Sequence, residues 1–456
     1  RGWGLEAASR SGRSRSRVAR RPCARPRAPI ESDPRPLRYV PPLTVPPSSS
    51  PPEPPRAATL ADSLRAELAE LDAAGLRREL RPASRGPAGP TRVVAGAAST
   101  ALVDFAANDY LGLAADPRPA AAAAGALARE GLGAGAARLL GGDHPLHHAL
   151  ERELAALKGA EAALLFPSGY AANAGALPAL AGAGDVVYSD ALNHASLVDG
   201  CRLARANGAA VRVAPHADPD ALGRLLADDA GRFRRRWLVV EGVYSMDGDR
   251  YPLRELVALA RAHGAFTYVD DAHATGVLGA TGAGSAEHWG VAGEVDVTVG
   301  TLGKAFGGAG AFVAGREELR ALLANRARTF VFTTASPPAL AAAALEALGV
   351  ARAEPWRRAR VRVLAARLRG ALAARGRPAP GDADGHVVPV PVGEARAAVA
   401  AGERVRAAGF LVGAVRPPTV PAGASRLRLS VSAAHTEAQV DGVADAVADA
   451  LDAVGA

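Results

Sequence analysis

Residues 266–276 read FTYVDDAHATG and residues 296–308 read DVTVGTLGKAFGG, and in each a short run of β-branched and aromatic residues stops at a cluster of polar residues and glycine. Each has the form of a strand leaving a sheet at its carboxyl end. Toward the N-terminus, WLVVEGVYS at 237–245, VRV at 211–213, DVVYS at 185–189 and ALLF at 163–166 repeat the pattern, and GAFVAG at 310–315 follows it. Ala- and Leu-rich helical stretches separate these runs. Alternation of this kind predicts the α/β class: a mostly parallel central sheet flanked by helices on both faces.

The character changes around residue 335, where SPP at 336–338 opens a long Ala/Arg helical region followed by β segments near 387–392, 410–415 and 426–431. The expected division is a large domain over 105–335 and a smaller C-terminal α+β domain over 336–456. An N-terminal helical segment is expected over 58–104, because LADSLRAELAELDAAGLRREL from Leu60 sets Leu64, Leu68, Leu71 and Leu76 near one helical face. Residues 1–57 are rich in Arg, Pro and Ser and are expected to be a disordered tail. Their prolines oppose the amphipathic helix of a transit peptide, so translated upstream sequence or a dispensable tail is the reading taken.

The chain has 456 residues, 49% of them apolar, enough for a substantial core. Its net charge of +8 suggests nucleic acid until it is located: residues 1–57 hold twelve Arg and four acidic residues, and the remainder is neutral. A neutral body lacks the clustered basic face that phosphate backbones require. The longest apolar runs are broken by Arg, Asp or Pro, so no membrane helix is expected. Cys23 and Cys201 form neither a disulfide framework nor a CxxC metal pair, which fits a reducing cytoplasm.

Of 54 basic residues only Lys158 and Lys304 are lysines. Lysine can lose its proton and form an imine, and arginine is too basic to do either. Lys304 stands in a glycine-rich segment after a predicted strand, where open parallel sheets place their ligands. An aldehyde cofactor with a pyridine ring and a phosphate, as in pyridoxal phosphate, needs a lysine, a carboxylate for the ring nitrogen and donors for the phosphate. Asp270 is the candidate for the ring nitrogen. Thr301, Ser245 and the amides of Gly169 and Tyr170 are candidates for the phosphate, since FPSGYAAN at 166–173 is a strand-to-helix junction. His194 can stack on the ring face, and His273 can bond the phenolic oxygen or steer a proton.

Other readings of these motifs carry less. DDAH offers too few ligands for a metal, and HPLHHALE at 144–151 is a helix start with surface histidines. GLGAG at 131–135 follows no convincing strand, and TLGKAFGG has Ala305 where a phosphate-binding P-loop needs Ser or Thr.

Together, NDYLGL at 108–113, FPSGYAAN, LNHASLVDG at 192–200, EGVYSMDGD at 241–249, VDDAHATG at 269–276, TLGKAFGG at 301–308 and RPPTVPAGASRLRLS at 416–430 stand in one order. In that order they resemble the α-oxoamine synthases, over roughly residues 60–450. Ala106, Ala107, Gly141 and Ala274 depart from the family pattern without removing a group assigned chemistry. The resemblance implies a pyridoxal-phosphate-dependent fold type I enzyme that condenses an amino acid with an acyl thioester. TLGKAFG, RPPTVPAG and SAAHT at 432–436 look most like the member that joins L-alanine to a pimeloyl thioester, carried by coenzyme A or acyl carrier protein. Members that use glycine or serine with another acyl group are the alternative. By the same resemblance Lys304, His194, Asp270 and His273 are catalytic and Arg428 pairs with the amino-acid carboxylate. Arg77, Asn108 and Thr419 are further substrate contacts, and Glu241 braces the cofactor pocket. A homodimer with shared sites is implied, with Thr333 or Thr334 reaching the neighbour's phosphate.

Overall fold

The β-rich runs meet in one seven-stranded sheet, and their order there decides where the polar strand ends fall. The computed structural model describes residues 59–86, 89–94 and 100–456, so the expected tail over 1–57 lies outside the described residues. In chain order the strands are β1 (Ala83–Arg85), β2 (Thr91–Val94), β3 (Thr100–Asp104), β4 (Ala162–Phe166), β5 (Asp185–Asp190), β6 (Ala210–Ala214) and β7 (Arg235–Glu241). They continue with β8 (Phe266–Asp270), β9 (Val297–Thr301), β10 (Ala311–Gly315), β11 (Val387–Gly393), β12 (Phe410–Leu411), β13 (Gly413–Val415) and β14 (Ser425–Ser430).

The large sheet runs β4-β10-β9-β8-β7-β5-β6, and β10 alone is antiparallel to its neighbours. Asp190, Glu241, Asp270 and Thr301 end β5, β7, β8 and β9 and so share one edge, with Glu241 directly opposite Asp270. The two-residue period of a strand sends successive side chains to opposite faces. Val187, Val239 and Tyr268 therefore pack under the helices Gly169–Leu180 and Ala195–Ala206. Val186, Leu238 and Val269 pack under Pro219–Asp228 and Leu253–His263 on the other face. Each fully buried aliphatic side chain contributes roughly 1.5–3 kcal/mol, so the strand ends sit on a rigid platform.

A second sheet, β11-β14-β13, is antiparallel and packs under the helices Trp356–Ala374 and Glu437–Val454. Leu427 and Leu429 face those helices, and the alternation turns Arg428 the other way, toward the edge of the large sheet.

Two segments differ from expectation. Among the described residues of 58–104 only Leu60–Ala73 is helical, and β1, β2 and β3 join β12 in a four-stranded sheet. TRVV and TALVD are β-branched but too short to display a period. The 410–415 segment is two strands, β12 parallel to β3 and β13 antiparallel to β14. Among the described residues no helix is long and apolar enough to cross a membrane.

Candidate active site

Lys304 lies in the turn after β9, which Gly307 closes. Its φ is +65°, a Cβ there would fall 2.2 Å from the Ala114 nitrogen, and its N–H donates to the Lys304 carbonyl at 2.9 Å. Only glycine fits that approach. Lys304 Nζ lies 2.9 Å from His273 Nε2. Burial depresses Lys304 to about 8, against the opposing pull of Asp270 and Glu241. Burial likewise holds His273 well below its ordinary value, with the Lys304 charge acting in the same direction.

Asp270 is buried at the end of β8. Its Oδ2 accepts from Asn173 Nδ2 at 2.6 Å and its Oδ1 from the Ala272 amide at 2.9 Å. Asn173 is in turn fixed by the Tyr268 hydroxyl, which donates to its Oδ1 at 2.9 Å, and by its own bond to Ser196 Oγ. The carboxylate is thus aimed by a saturated amide. His194 caps the helix Ala195–Ala206 and keeps an accessible ring, while Asp270 and Lys304 are close enough to act on its charge. Its backbone N–H donates to Glu241 Oε1 at 2.6 Å. Glu241 is raised well above the ordinary carboxyl value by burial and then by Asp270, and it also accepts from the Ser245 amide. Glu241 therefore braces two loops.

Arg428 crosses from the second sheet. Its Nε donates to the Ser245 carbonyl at 2.6 Å, its Nη1 to Ser430 Oγ at 3.1 Å, and both Nη1 and Nη2 to Asn108 Oδ1 at 3.2 Å. Gly169 and Tyr170 open the helix Gly169–Leu180, whose cap Ser168 accepts from Ala171 and leaves the first amides to an anion. Thr301 closes β9, with its hydroxyl donating to the Gly310 carbonyl and accepting from the Gly303 amide.

The remaining expected contacts are not drawn in. Arg77 is exposed and paired with Asp72 at 2.7 Å, and Thr419 is an exposed turn residue whose amide bonds the Arg416 carbonyl. Thr333 and Thr334 line a small cleft with Arg138, His147 and Phe330. His147 corrects the expectation of surface histidines at 144–151: it is buried, with Nε2 bonded to the Ser336 carbonyl at 2.8 Å.

Lys158 is the other lysine, and its ammonium is filled by Asp271 Oδ2 at 2.7 Å, Thr275 Oγ1 at 2.8 Å and the Ala283 carbonyl at 2.6 Å. It is structural. Lys158→Met is expected to lower stability in urea denaturation by about 3 kcal/mol, the cost of leaving one member of a buried ion pair alone.

One cluster was not foreseen from sequence. His216 bonds Asp190 Oδ1 at 2.9 Å through Nδ1 and Asp249 Oδ2 at 2.8 Å through Nε2, tying the loop that carries His194 to the loop that carries Ser245. Burial works against its charge, but the two carboxylates outweigh burial and raise His216 to about 10. A raised folded pKa stabilises fully below the unfolded value of about 6.5 and loses that contribution as pH climbs through about 10. Thermal midpoints are therefore expected to fall across that window, and His216→Gln is expected to flatten this part of the decline.

The chain matches the family model "Aminotransferase class I and II" over residues 100–447. A relative from Anaeromyxobacter dehalogenans named 8-amino-7-oxononanoate synthase is 54% identical over 391 residues, covering 86% of this chain and 96% of its own. The chain belongs to the 8-amino-7-oxononanoate synthase family. Membership makes it a pyridoxal-phosphate-dependent acyltransferase of the aminotransferase fold. Among solved structures, the Sphingomonas wittichii serine palmitoyltransferase is similar at a TM-score of 0.80 and 33% identity, covering 86% of this chain and 98% of its own. Another, of SPT with PLP as an internal aldimine, has a TM-score of 0.79 and 32% identity over the same shares.

The residues present fit such a cofactor. A buried carboxylate aimed by Asn173, an accessible imidazole, a depressed lysine and unfilled helix-start amides supply one group for each part of it.

Proposed function

We propose that the chain condenses L-alanine with a pimeloyl thioester, releasing carbon dioxide and the free thiol carrier to give 8-amino-7-oxononanoate in biotin biosynthesis. The supporting observation is a continuous run of polar contacts, Lys304–His273–Tyr110–Asn108–Arg428, with steps of 2.9, 2.6, 3.1 and 3.2 Å, that links a basic amine to a guanidinium fork. Bound pyridoxal phosphate supplies an electron sink for a carbanion at the amino acid.

Asp270 holds a proton at the ring nitrogen, kept in line by Asn173. His194 covers the ring face. Thr301, Ser245 and the Gly169 and Tyr170 amides hold the phosphate. Arg428 receives the alanine carboxylate with Asn108 beside it, a planar match to two oxygens. Lys304, depressed to about 8, takes the α-proton as a base near its operating pH and returns it after decarboxylation. His273 holds a hydrogen bond at Lys304 or at the phenolic oxygen. Arg77 and Thr419 are further substrate contacts in this reading.

A cytoplasmic homodimer belongs to this reading. Leu139, Leu140 and Phe332 are 57%, 81% and 72% exposed, and their segments are tied where the Ala335 amide meets the Ala136 carbonyl. A second copy covering this patch would bring Thr333 or Thr334 to its neighbour's phosphate.

Purified protein is expected to release thiol and form 8-amino-7-oxononanoate, detected by mass spectrometry, from alanine with pimeloyl-CoA or pimeloyl-acyl carrier protein. Turnover with glycine or serine and acetyl- or succinyl-CoA, but not with alanine and the pimeloyl donors, would refute this substrate assignment.

A further inference from the structure

We infer that Tyr110 sets the tautomer of His273, so that His273 presents Nε2–H to Lys304. The inference rests on the reading of Lys304 as the cofactor lysine and adds a positioning residue to it.

Tyr110 is fully buried, and its hydroxyl lies 2.6 Å from His273 Nδ1 and 3.1 Å from Asn108 Oδ1. A phenol has one hydrogen to give. Asn108 Oδ1 already accepts from both terminal nitrogens of Arg428 and has Ser430 Oγ at 3.4 Å. A carbonyl oxygen has two lone pairs, so the nearer and unfilled acceptor is His273 Nδ1. Burial raises Tyr110 to about 12 despite the Arg428 and Ser430 donors that face its oxygen, so the phenol keeps its hydrogen.

Two contacts hold this geometry. His386 packs edge-on to the Tyr110 ring with centroids 4.4 Å apart, and its Nε2 lies 2.9 Å from the His273 carbonyl oxygen. With both neighbours fixed, His273 cannot swing its Nδ1 toward another partner.

If Nδ1 accepts from Tyr110, the ring hydrogen of neutral His273 is on Nε2 and faces Lys304 Nζ. A donor there favours the uncharged nitrogen of Lys304 and disfavours its protonated form. Without the phenol the ring is free to turn over its tautomer, and an accepting Nε2 would favour the proton on Lys304. The other charged or titratable groups acting on this pair are Arg428, His386, His194, Asp270 and Glu241, and none of them bonds Nδ1.

The test uses the full-length holoenzyme with ¹⁵N-labelled histidine, the His273 signals being assigned by their loss in His273→Asn. In the wild type, Nε2 is expected to be the protonated nitrogen and Nδ1 the accepting one. Tyr110→Phe is expected to shift hydrogen to Nδ1 and to raise the pH midpoint of the visible band of the lysine–cofactor linkage by about one unit, a tenfold change. A wild type carrying hydrogen on Nδ1 would overturn the inference without any variant. So would a Tyr110→Phe holoenzyme with unchanged tautomer and unchanged midpoint. Absence of a visible band in the wild type counts instead against the cofactor reading, and the tautomer is still read in that protein.

Discussion

Lys304→Ala is expected to erase the visible band of bound cofactor and to lower turnover by more than about 10⁴-fold, because in the proposed reaction one change removes both the covalent attachment and the base. Nothing nearby replaces it. His273 shares its hydrogen bond, but burial lowers its basicity well below that of an ordinary imidazole. Lys158 has all three of its hydrogens taken by Asp271, Thr275 and Ala283. The measurement is absorbance after loading with pyridoxal phosphate, with product formation assayed on the same sample. Retained turnover in the variant would mean that the proton at the amino acid is moved by another group.

Asp270→Asn carries the second large effect. The shape is kept, but the negative charge facing a protonated ring nitrogen is gone, and a carboxamide has a single oxygen for the two donors, Asn173 and the Ala272 amide, that the two Asp270 oxygens accept. Removing one preorganised electrostatic partner from a buried site costs on the order of 10³-fold in kcat. Asn173, which donates to Asp270 Oδ2 at 2.6 Å, would then face an amide, and the new side chain must turn its oxygen toward it. Cofactor is expected to bind with an altered spectrum while alanine affinity, which the proposed reaction assigns to Arg428 and Asn108, changes little. A variant with normal kcat and raised alanine KM would place Asp270 in substrate binding instead.

Lys304, Asp270, His273 and Thr301 were legible in the sequence because a strand end announces itself locally: β-branched residues stop and glycine and polar residues begin. Arg428 was legible only through resemblance, since the Arg/Leu alternation of SRLRLS does not say which arginine faces the site. The partners that aim these groups were not legible. Asn173 meets Asp270 across 97 positions of chain and Tyr110 meets His273 across 163, so no spacing within a motif encodes either contact. FPSGYAAN did hold a signal, for Asn173 lies one helical turn beyond Gly169 and therefore under the same strand ends. The strands β1, β2 and β3 were missed for a different reason: at three to five residues they are too short to show a two-residue period. His216 was passed over because its chemistry depends on two aspartates from separate loops.

Attachment of the cofactor at Lys304 can be read directly, because the chain has only two lysines. Holoenzyme reduced with borohydride and digested with a protease that cuts at arginine is expected to yield one phosphopyridoxyl peptide, the one containing TLGKAFGG. A label on the Lys158 peptide, or no labelled lysine in a protein that turns over, would contradict the account.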